Sequence, residues 1–322
     1  MRTTASVTLA AVDRVPVVDL GASNVVDTVR DACERLGFLM IVGHEVDPRL
    51  VQATWDAARS FFEMPIADRM RVAMPTPGYP YGYSPVAGES LAASLGQQGH
   101  PDLKESFAIG PVDPPSHSMC DPDEASAWSP NLWPTEVASF RATWELYYRE
   151  MAALSARVLS VFAQALDLSS DYFEPMIDRH TSAMRAINYP ASSSVLPGQL
   201  GAGAHTDYGT LTVLLADPSQ GGLQVRSTTG SWIDVVPAPG SFVVNLGDAM
   251  ARWTNDRWRS TLHRVVVPSV RRQSIAFFHN ANWDAVIEAL PTCLPAGESA
   301  RYEPITAGPH LMSKFRATTN AM

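Results

Sequence analysis

The chain has 322 residues, with 24 Lys and Arg against 33 Asp and Glu, and a formal net charge of −9. An acidic chain without a dense Lys/Arg cluster lacks the charge that neutralises phosphates, so we expect no nucleic-acid partner. No stretch approaches the roughly 20 consecutive apolar residues of a membrane helix, so we expect no membrane partner either.

Cysteine usage and the first residues bear on location. Cys33, Cys120 and Cys293 are odd in number, widely scattered and without metal-binding spacing. This pattern favours reduced thiols over a disulfide framework. The stretch 1–14 has only a short apolar run, broken by Asp13, so we expect no signal peptide. The predicted location is cytoplasmic.

The first part of the chain alternates between strand and helix signals. Residues 15–20 and 38–42 are short apolar runs next to glycines, which is typical of buried strands. Residues 24–37 and 48–62 carry apolar side chains at helical spacing, and the second run stops before Pro65. These signals predict an α/β N-terminal region.

The central part changes character twice. Residues 74–134 are crowded with Pro and Gly, which predicts long ordered loops. Residues 135–166 have the apolar periodicity of a long helix. From 183 to about 285 many short strand signals follow one another, which favours a β-sandwich, a jelly roll or a barrel. A further helix is predicted around residues 310–315.

A candidate metal site lies among the predicted strands. His205 and Asp207 are two residues apart, so in a strand they would project from one face. His263, at the start of another predicted strand, offers a third ligand. Two His and one carboxylate form the facial triad of non-haem Fe(II) oxygenases, which leaves positions open for a bidentate co-substrate and O2. His-x-Asp alone is weak, since it arises by chance in roughly one such chain in three.

A second pair of residues strengthens this interpretation. Arg272 and Ser274 are also two apart and would share a strand face just after His263. A guanidinium can hold a carboxylate through two parallel hydrogen bonds, and a hydroxyl can add another. The phenol of Tyr189 could reach the same carboxylate.

The ordered motifs resemble the isopenicillin N synthase-like branch of the iron(II)- and 2-oxoglutarate-dependent dioxygenases, over nearly the whole length. The similar segments are VPVVDL, ERLGFLMIVGHEV, ARSFFEMP, HTDYGTLTVLL, GGLQV, FVVNLGD, STLHRVVVP, RQSIAFF and YEPITAGPHLMSKF. The resemblance implies an α+β fold: a double-stranded β-helix (jelly-roll) core with flanking helices and an α/β N-terminal region. Four regions are then expected: residues 1–134 as the N-terminal region, 135–180 as a bridging helical segment, 181–290 as the catalytic double-stranded β-helix and 291–322 as the tail.

The resemblance also implies a function for each motif. His205, Asp207 and His263 are expected to bind Fe(II), and Arg272 and Ser274 the distal carboxylate of 2-oxoglutarate. Tyr189 is expected to assist. Asn188 stands where many members carry an aromatic residue or His, and it is a lower-ranked candidate for a co-substrate contact.

The implied reaction consumes 2-oxoglutarate and O2, releases succinate and CO2, and oxidises a small-molecule substrate. Hydroxylation is the expected outcome, with desaturation or ring closure as alternatives. A 2-oxoglutarate-independent oxidase of the isopenicillin N synthase type stays open, because it shares both motifs. A catalytically inactive β-sandwich and a zinc hydrolase are weaker alternatives. Substrate identity and oligomeric state are left open.

The residues that line the substrate pocket are less well defined by the sequence. Weak candidates for its wall are Tyr81, Tyr83, Phe107 and Phe278. Lys104 and Glu105 are expected in a solvated turn. The remaining histidines are expected to be packing or surface residues: His44, His100, His117, His180, His279 and His310.

Overall fold

The computed structural model describes residues 14–319 except 93–95, 97–99, 116–118, 120, 192–194, 218–220 and 296. The expectations for the stretch 1–13, for His117 and for Cys120 fall outside these described residues.

The described helices follow local sequence signals. They are α1 Val25–Arg35, α2 Pro48–Glu63, α3 Ile66–Arg69, α4 Pro122–Ala127, α5 Phe140–Ala165, α6 Asp248–Trp253 and α7 Ala307–Thr319. Helix α2 begins after Asp47, whose carboxylate accepts a hydrogen bond from the Arg49 N–H at 2.8 Å, and has proline as its first residue. None of the described helices combines the length and the apolar character needed to cross a membrane.

The described strands form two main sheets and one small pair. They are β1 Val17–Asp19, β2 Phe38–Val42, β3 Gly82–Ser84, β4 Glu105–Ile109, β5 Ala183–Tyr189, β6 Ala202–His205, β7 Leu211–Ala216, β8 Leu223–Arg226, β9 Trp232–Asp234, β10 Phe242–Leu246, β11 His263–Val265, β12 Arg272–His279, β13 Val286–Ile287 and β14 Ile305–Thr306. The large sheet has the order β1-β2-β10-β7-β12-β5-β4-β3 and the smaller one β6-β11-β8-β9. Apart from the parallel β1–β2 pair, neighbouring strands are antiparallel.

The two sheets enclose one apolar cluster between them. Tyr189 and Val243 of the large sheet meet Val225 and Val265 of the small sheet in this cluster. Side chains alternate along each strand, so the opposite face of the large sheet is free to pack against helices. That face contributes Phe277 to a second cluster that also contains the buried apolar side chains of α5. The predicted jelly-roll core with flanking helices is therefore confirmed.

The prediction for residues 74–134 was too simple. Strands β3 and β4 and helix α4 lie inside this segment, and β4 pairs with β5 of the predicted catalytic region. The two short strands gain their hydrogen bonds from distant partners, which Pro/Gly content cannot reveal. Helix α6 was also not predicted.

Candidate metal centre and co-substrate pocket

His205, Asp207 and His263 converge at one end of the space between the sheets. His205 ends β6, His263 begins β11, and the two residues are directly paired across these strands. The Nε2 atoms of His205 and His263 lie 3.8 and 3.6 Å from Asp207 Oδ1. One ligand atom from each residue lies within 4.8 Å of the others, which is the spacing that a single metal ion requires.

Backbone carbonyls fix both imidazole rings. Nδ1 of His205 donates to the Gly203 carbonyl at 2.7 Å, and Nδ1 of His263 donates to the Thr261 carbonyl at 3.1 Å. When Nδ1 carries the proton, Nε2 keeps its lone pair for a metal. Burial, followed by the charge of His263, lowers the pKa of His205 to about 3, so its imidazole is neutral and ready to coordinate.

Asp207 is oriented by hydrogen bonds to one of its two oxygens. Thr212 and Asn245 donate to Oδ2 at 2.5 and 2.7 Å, which leaves Oδ1 facing the two Nε2 atoms. Burial raises the pKa of Asp207, but His263, His205 and these two hydrogen bonds hold it below its ordinary value. Asp207 is therefore an ionised carboxylate with one oxygen directed at the metal position.

Asp207 does not lie on a strand with His205, although its spacing had predicted this. Strand β6 ends at His205, and Asp207 follows two residues later, outside the strand. Its backbone carbonyl accepts a hydrogen bond from the Asp248 N–H at 2.8 Å, where α6 begins. The loop and α6 therefore complete a site that a regular strand would not.

Arg272 supplies a buried cation that has no ion-pair partner among the described residues. Its side chain is 2% exposed, and neither Nε nor Nη1 has a hydrogen-bond partner among the described residues. Its guanidinium carbon lies 4.8 Å from the ring centre of Tyr189, the residue directly opposite on β5. A buried charge without a partner is strongly unfavourable, so the guanidinium fits a carboxylate ligand.

The alternation of side chains along β12 shows which of its residues face the pocket. Arg272, Ser274 and Phe278 lie on one face, whereas Phe277 on the other face packs in the helix-side cluster. Phe278 pairs with Thr212, which binds Asp207. The structure therefore brings Arg272, Ser274 and Phe278 to the side of the large sheet that faces the metal ligands.

Asn188 lies on the opposite face. It pairs with Gln273, its amide donates to Glu105 Oε1 at 2.7 Å, and its oxygen accepts from Arg271 at 2.8 Å. Both ends of the side chain are thus used away from Arg272. This placement speaks against the expected co-substrate contact.

The aromatic residues predicted for the substrate wall are mostly core residues. Phe107 is fully buried and packs on Trp144, with ring centres 5.3 Å apart. Tyr83 lies in the same cluster and donates to Glu105 at 2.5 Å. Tyr81 is buried and donates to the Ala127 carbonyl at 2.5 Å. Phe278 is the member of the four that lies on the pocket side.

Two charged residues were misjudged from the sequence. Lys104 and Glu105, expected in a solvated turn, are 4% and 5% exposed. Arg185 was not singled out, although it lies on the pocket face of β5, two strand periods from Tyr189. Counting back in steps of two from Tyr189 would have found it.

Histidines that were expected to be packing or surface residues make contacts away from the metal centre. His180 and His279 are neighbours, with ring centres 5.3 Å apart, and Thr210 bonds to His279 Nδ1 at 2.7 Å. His44 bonds to the Gly240 carbonyl at 2.9 Å. Neither place is part of the metal centre.

A jelly roll that directs two imidazoles and one carboxylate to a single point defines a mononuclear non-haem metal oxygenase. Comparison with known families agrees. Residues 180–281 match the 2OG-Fe(II) oxygenase superfamily, and residues 15–136 match the family described as non-haem dioxygenase in morphine synthesis N-terminal. The chain belongs to the 2-oxoglutarate- and Fe(II)-dependent oxygenases.

Individual relatives cover most of the chain. A 2-oxoglutarate-Fe(II) type oxidoreductase of Emericella nidulans is 36% identical over 290 residues, which is 88% of this chain and 82% of the relative. Homoarginine-6-hydroxylase of Oryza sativa is 35% identical over 299 residues, or 90% and 88% of the two chains. The crystal structure of a full-length Neurospora crassa protein in complex with alpha-KG and thymine has a TM-score of 0.82 at 32% identity, covering 94% of this chain and 97% of the other.

These findings confirm the predicted class of enzyme. The protein is an oxidoreductase of the 2-oxoglutarate-dependent dioxygenase type that uses Fe(II), 2-oxoglutarate and O2. The alternative of a 2-oxoglutarate-independent oxidase is not favoured, since the matching Neurospora crassa structure contains alpha-KG. Small-molecule substrates are the rule among these relatives.

Proposed function

We propose that this enzyme hydroxylates a small molecule, with Fe(II) held by His205, Asp207 and His263 and with 2-oxoglutarate anchored by Arg272. The observation that carries the assignment of Arg272 is its buried guanidinium, whose Nε and Nη1 have no hydrogen-bond partner among the described residues, on the same sheet face as Ser274. Ser274 and Tyr189 complete the proposed carboxylate site.

The donor set fits Fe(II) and 2-oxoglutarate. Two imidazole nitrogens and one carboxylate oxygen suit a divalent first-row metal and leave the remaining coordination positions open. The metal carries two positive charges and Asp207 neutralises one of them. The distal carboxylate of 2-oxoglutarate supplies the negative counter-charge for the Arg272 guanidinium. When bound, Fe(II) and 2-oxoglutarate supply the oxidising power, with O2 consumed and succinate and CO2 released.

The residues of the chain have separate tasks in this proposal. Gly203 and Thr261 hold the ligand imidazoles in the coordinating tautomer. Arg272 sets the direction of 2-oxoglutarate, with the Tyr189 ring against its guanidinium. The apolar cluster between the sheets keeps water from this end of the pocket. Hydroxylation needs no side-chain acid or base at the metal.

The test is an anaerobic titration of the apoprotein with Fe(II) and then 2-oxoglutarate, followed by visible absorption. We expect a weak charge-transfer band that requires both components. Arg272→Met keeps an unbranched apolar stem but removes the charged guanidinium, so the band should then need far more 2-oxoglutarate. A charge-assisted pair contributes ~1.5–3 kcal/mol, which predicts an increase of about 10- to 100-fold in the 2-oxoglutarate Kd.

Arg226→Met is the matched control, because Arg226 is exposed on β8 of the small sheet and packs on Trp232. This variant should behave as the unmodified protein. An unchanged Kd in Arg272→Met would refute the assigned carboxylate site. Iron binding without any band would contradict chelation by 2-oxoglutarate. The division into four sequence regions and a cytoplasmic location stay predictions.

A further inference from the structure

Four charged side chains form a cluster beside the metal centre. Arg185 Nη1 lies 3.0 Å from both carboxylate oxygens of Glu89. Lys104 Nζ lies 3.2 Å from Glu89 Oε2 and 3.4 Å from Asp102 Oδ2. The cluster therefore holds two cations and two anions in one connected group, and its formal charge is zero.

Arg185 brings the cluster to the pocket face of the large sheet, and Asp102 connects it to the strand of the first metal ligand. Arg185 lies on the same face of β5 as Tyr189, whereas its neighbours along the strand pack in the helix-side cluster. Asp102 Oδ1 accepts a hydrogen bond from the Gly203 N–H at 2.8 Å, and the Gly203 carbonyl accepts one from His205. Burial and the charge of His263 are the main causes of the lowered pKa of His205, and the charge of Lys104 contributes in the same direction.

The inner and outer members of the cluster differ in exposure. Lys104 and Asp102 are 4% and 2% exposed, and Asp102 uses both oxygens for partners within the protein. Arg185 and Glu89 are 27% and 24% exposed. Among the described residues, Arg185 donates hydrogen bonds through Nη1 only, so its other N–H groups can receive a ligand.

A purely structural role explains this cluster poorly. Ion pairs removed from water gain little stability compared with apolar side chains of similar volume. Burial raises the pKa of Glu89, but Arg185 and Lys104 outweigh that effect and lower it to about 2, so the carboxylate is ionised. An ionised carboxylate next to a guanidinium with open donors presents both signs of charge to the pocket, at adjacent positions. The complementary ligand carries both signs at adjacent positions and has no net charge there.

We propose that Arg185 and Glu89 bind the head group of a zwitterionic amino acid, with its carboxylate on Arg185 and its ammonium on Glu89. The inner pair Lys104 and Asp102 holds Glu89 and ties the cluster to the strand of His205. This inference rests on the proposed function and names the substrate class for the same site. The similarity to rice homoarginine-6-hydroxylase is consistent with an amino-acid substrate.

The competing ligand is a neutral ring with a donor and an acceptor on one edge, such as thymine. Such a ring would make hydrogen bonds to Arg185 and Glu89 but would bring no charge of its own to either of them. Full charges on the ligand give the stronger pairing in a site withdrawn from water. The observations therefore favour the amino acid, and thymine becomes an arm of the test.

The experiment uses the enzyme loaded anaerobically with Fe(II) and 2-oxoglutarate. The twenty protein L-amino acids, L-homoarginine and thymine are added singly, and the change in the charge-transfer band is recorded. Succinate release in air is measured with the same panel. We expect at least one amino acid to perturb the band and to stimulate succinate release, and its carboxamide to do neither.

Substitutions test the two contacts separately. Arg185→Met and Glu89→Gln should each raise the KM of the active amino acid by about 10- to 100-fold, the factor for one charge-assisted hydrogen bond. Arg185→Lys should recover part of the loss. The band formed with 2-oxoglutarate alone should be retained in all three variants, because none of them touches the proposed iron or carboxylate site. Arg226→Met is again the control.

The outcomes separate this inference from the proposed function. If the unmodified enzyme forms no band with 2-oxoglutarate, the proposed function itself fails. If the band forms and no amino acid affects it, or if thymine alone stimulates succinate release, the amino-acid assignment is overturned. A carboxamide as active as its parent acid would also overturn it.

Discussion

Replacing Asn245 by Leu tests how the protein prepares Asp207 for the metal. The amide of Asn245 is 3% exposed and donates to Asp207 Oδ2 at 2.7 Å. A hydrogen bond to an ionised partner contributes ~1.5–3 kcal/mol. Its loss leaves Thr212 as the donor to Oδ2 and weakens the hold on the carboxylate. We therefore expect the Kd for Fe(II) to rise by about 10- to 100-fold, which is also the usual effect of removing a partner that orients a metal ligand.

Asn188→Leu is the matched control. Asn188 is 4% exposed and donates to the Glu105 carboxylate at the same distance of 2.7 Å, but on the face of the sheet away from the metal. Both variants should lose ~1–3 kcal/mol in the free energy of unfolding of the apoprotein, measured in urea. Only Asn245→Leu should weaken Fe(II) binding, measured by anaerobic titration against a chelating dye. Equal iron affinities in the two variants would refute the role given to Asn245.

Three further perturbations probe other parts of the structure. Tyr189→Leu should raise the KM for 2-oxoglutarate about 5-fold through loss of ~1 kcal/mol of ring contact with the guanidinium, whereas Tyr189→Phe keeps the ring and separates the contribution of the hydroxyl. Gly247→Ala would place a Cβ 2.1 Å from the Gly209 carbonyl oxygen and should destabilise the protein by about 3 kcal/mol in thermal melts, while Gly21→Ala, whose Cβ meets nothing closer than 3.5 Å, should be tolerated. Burial lowers the pKa of His180 from 6.5 to about 4, so this side chain takes up a proton in the unfolded chain at a higher pH than in the folded protein. The free energy of unfolding should therefore fall as the pH drops from 6.5 to 4. In urea titrations His180→Leu should remove on the order of 2 kcal/mol of that fall, and a variant as pH-dependent as the unmodified protein would contradict the assignment.

The sequence predicts the parts of the site that depend on strand period. Arg272 and Ser274 share a face of β12 as their spacing requires, and β12 follows directly in the chain after β11, which begins with His263. The period fails at Asp207, because β6 ends before it and the loop to β7 sets its direction. The end of a short strand depends on its partners and not on its own residues.

The remaining errors come from contacts between distant segments. Phe107 faces the helix layer because β4 pairs with β5 in a register that sets it opposite Ala186. A shift of one residue would have turned it towards the pocket. Lys104 looks like a surface residue in the sequence, yet the approach of Glu89 and Asp102 makes its burial possible. The local sequence predicts neither the β4–β5 register nor the ion-pair partners of Lys104.

The strand order of the large sheet has a consequence for synthesis. The central strands β10, β7, β12 and β5 come from the later part of the chain, whereas both edges, β1-β2 and β4-β3, lie between residues 17 and 109. Ile41 of β2 pairs with Phe242 of β10, so more than half the chain separates the two partners. The edge of the apolar strand β2 that pairs with β10 therefore stays unpaired until the ribosome has made β10. We expect slow folding and dependence on chaperones during expression, because the sheet closes only after its middle has been made.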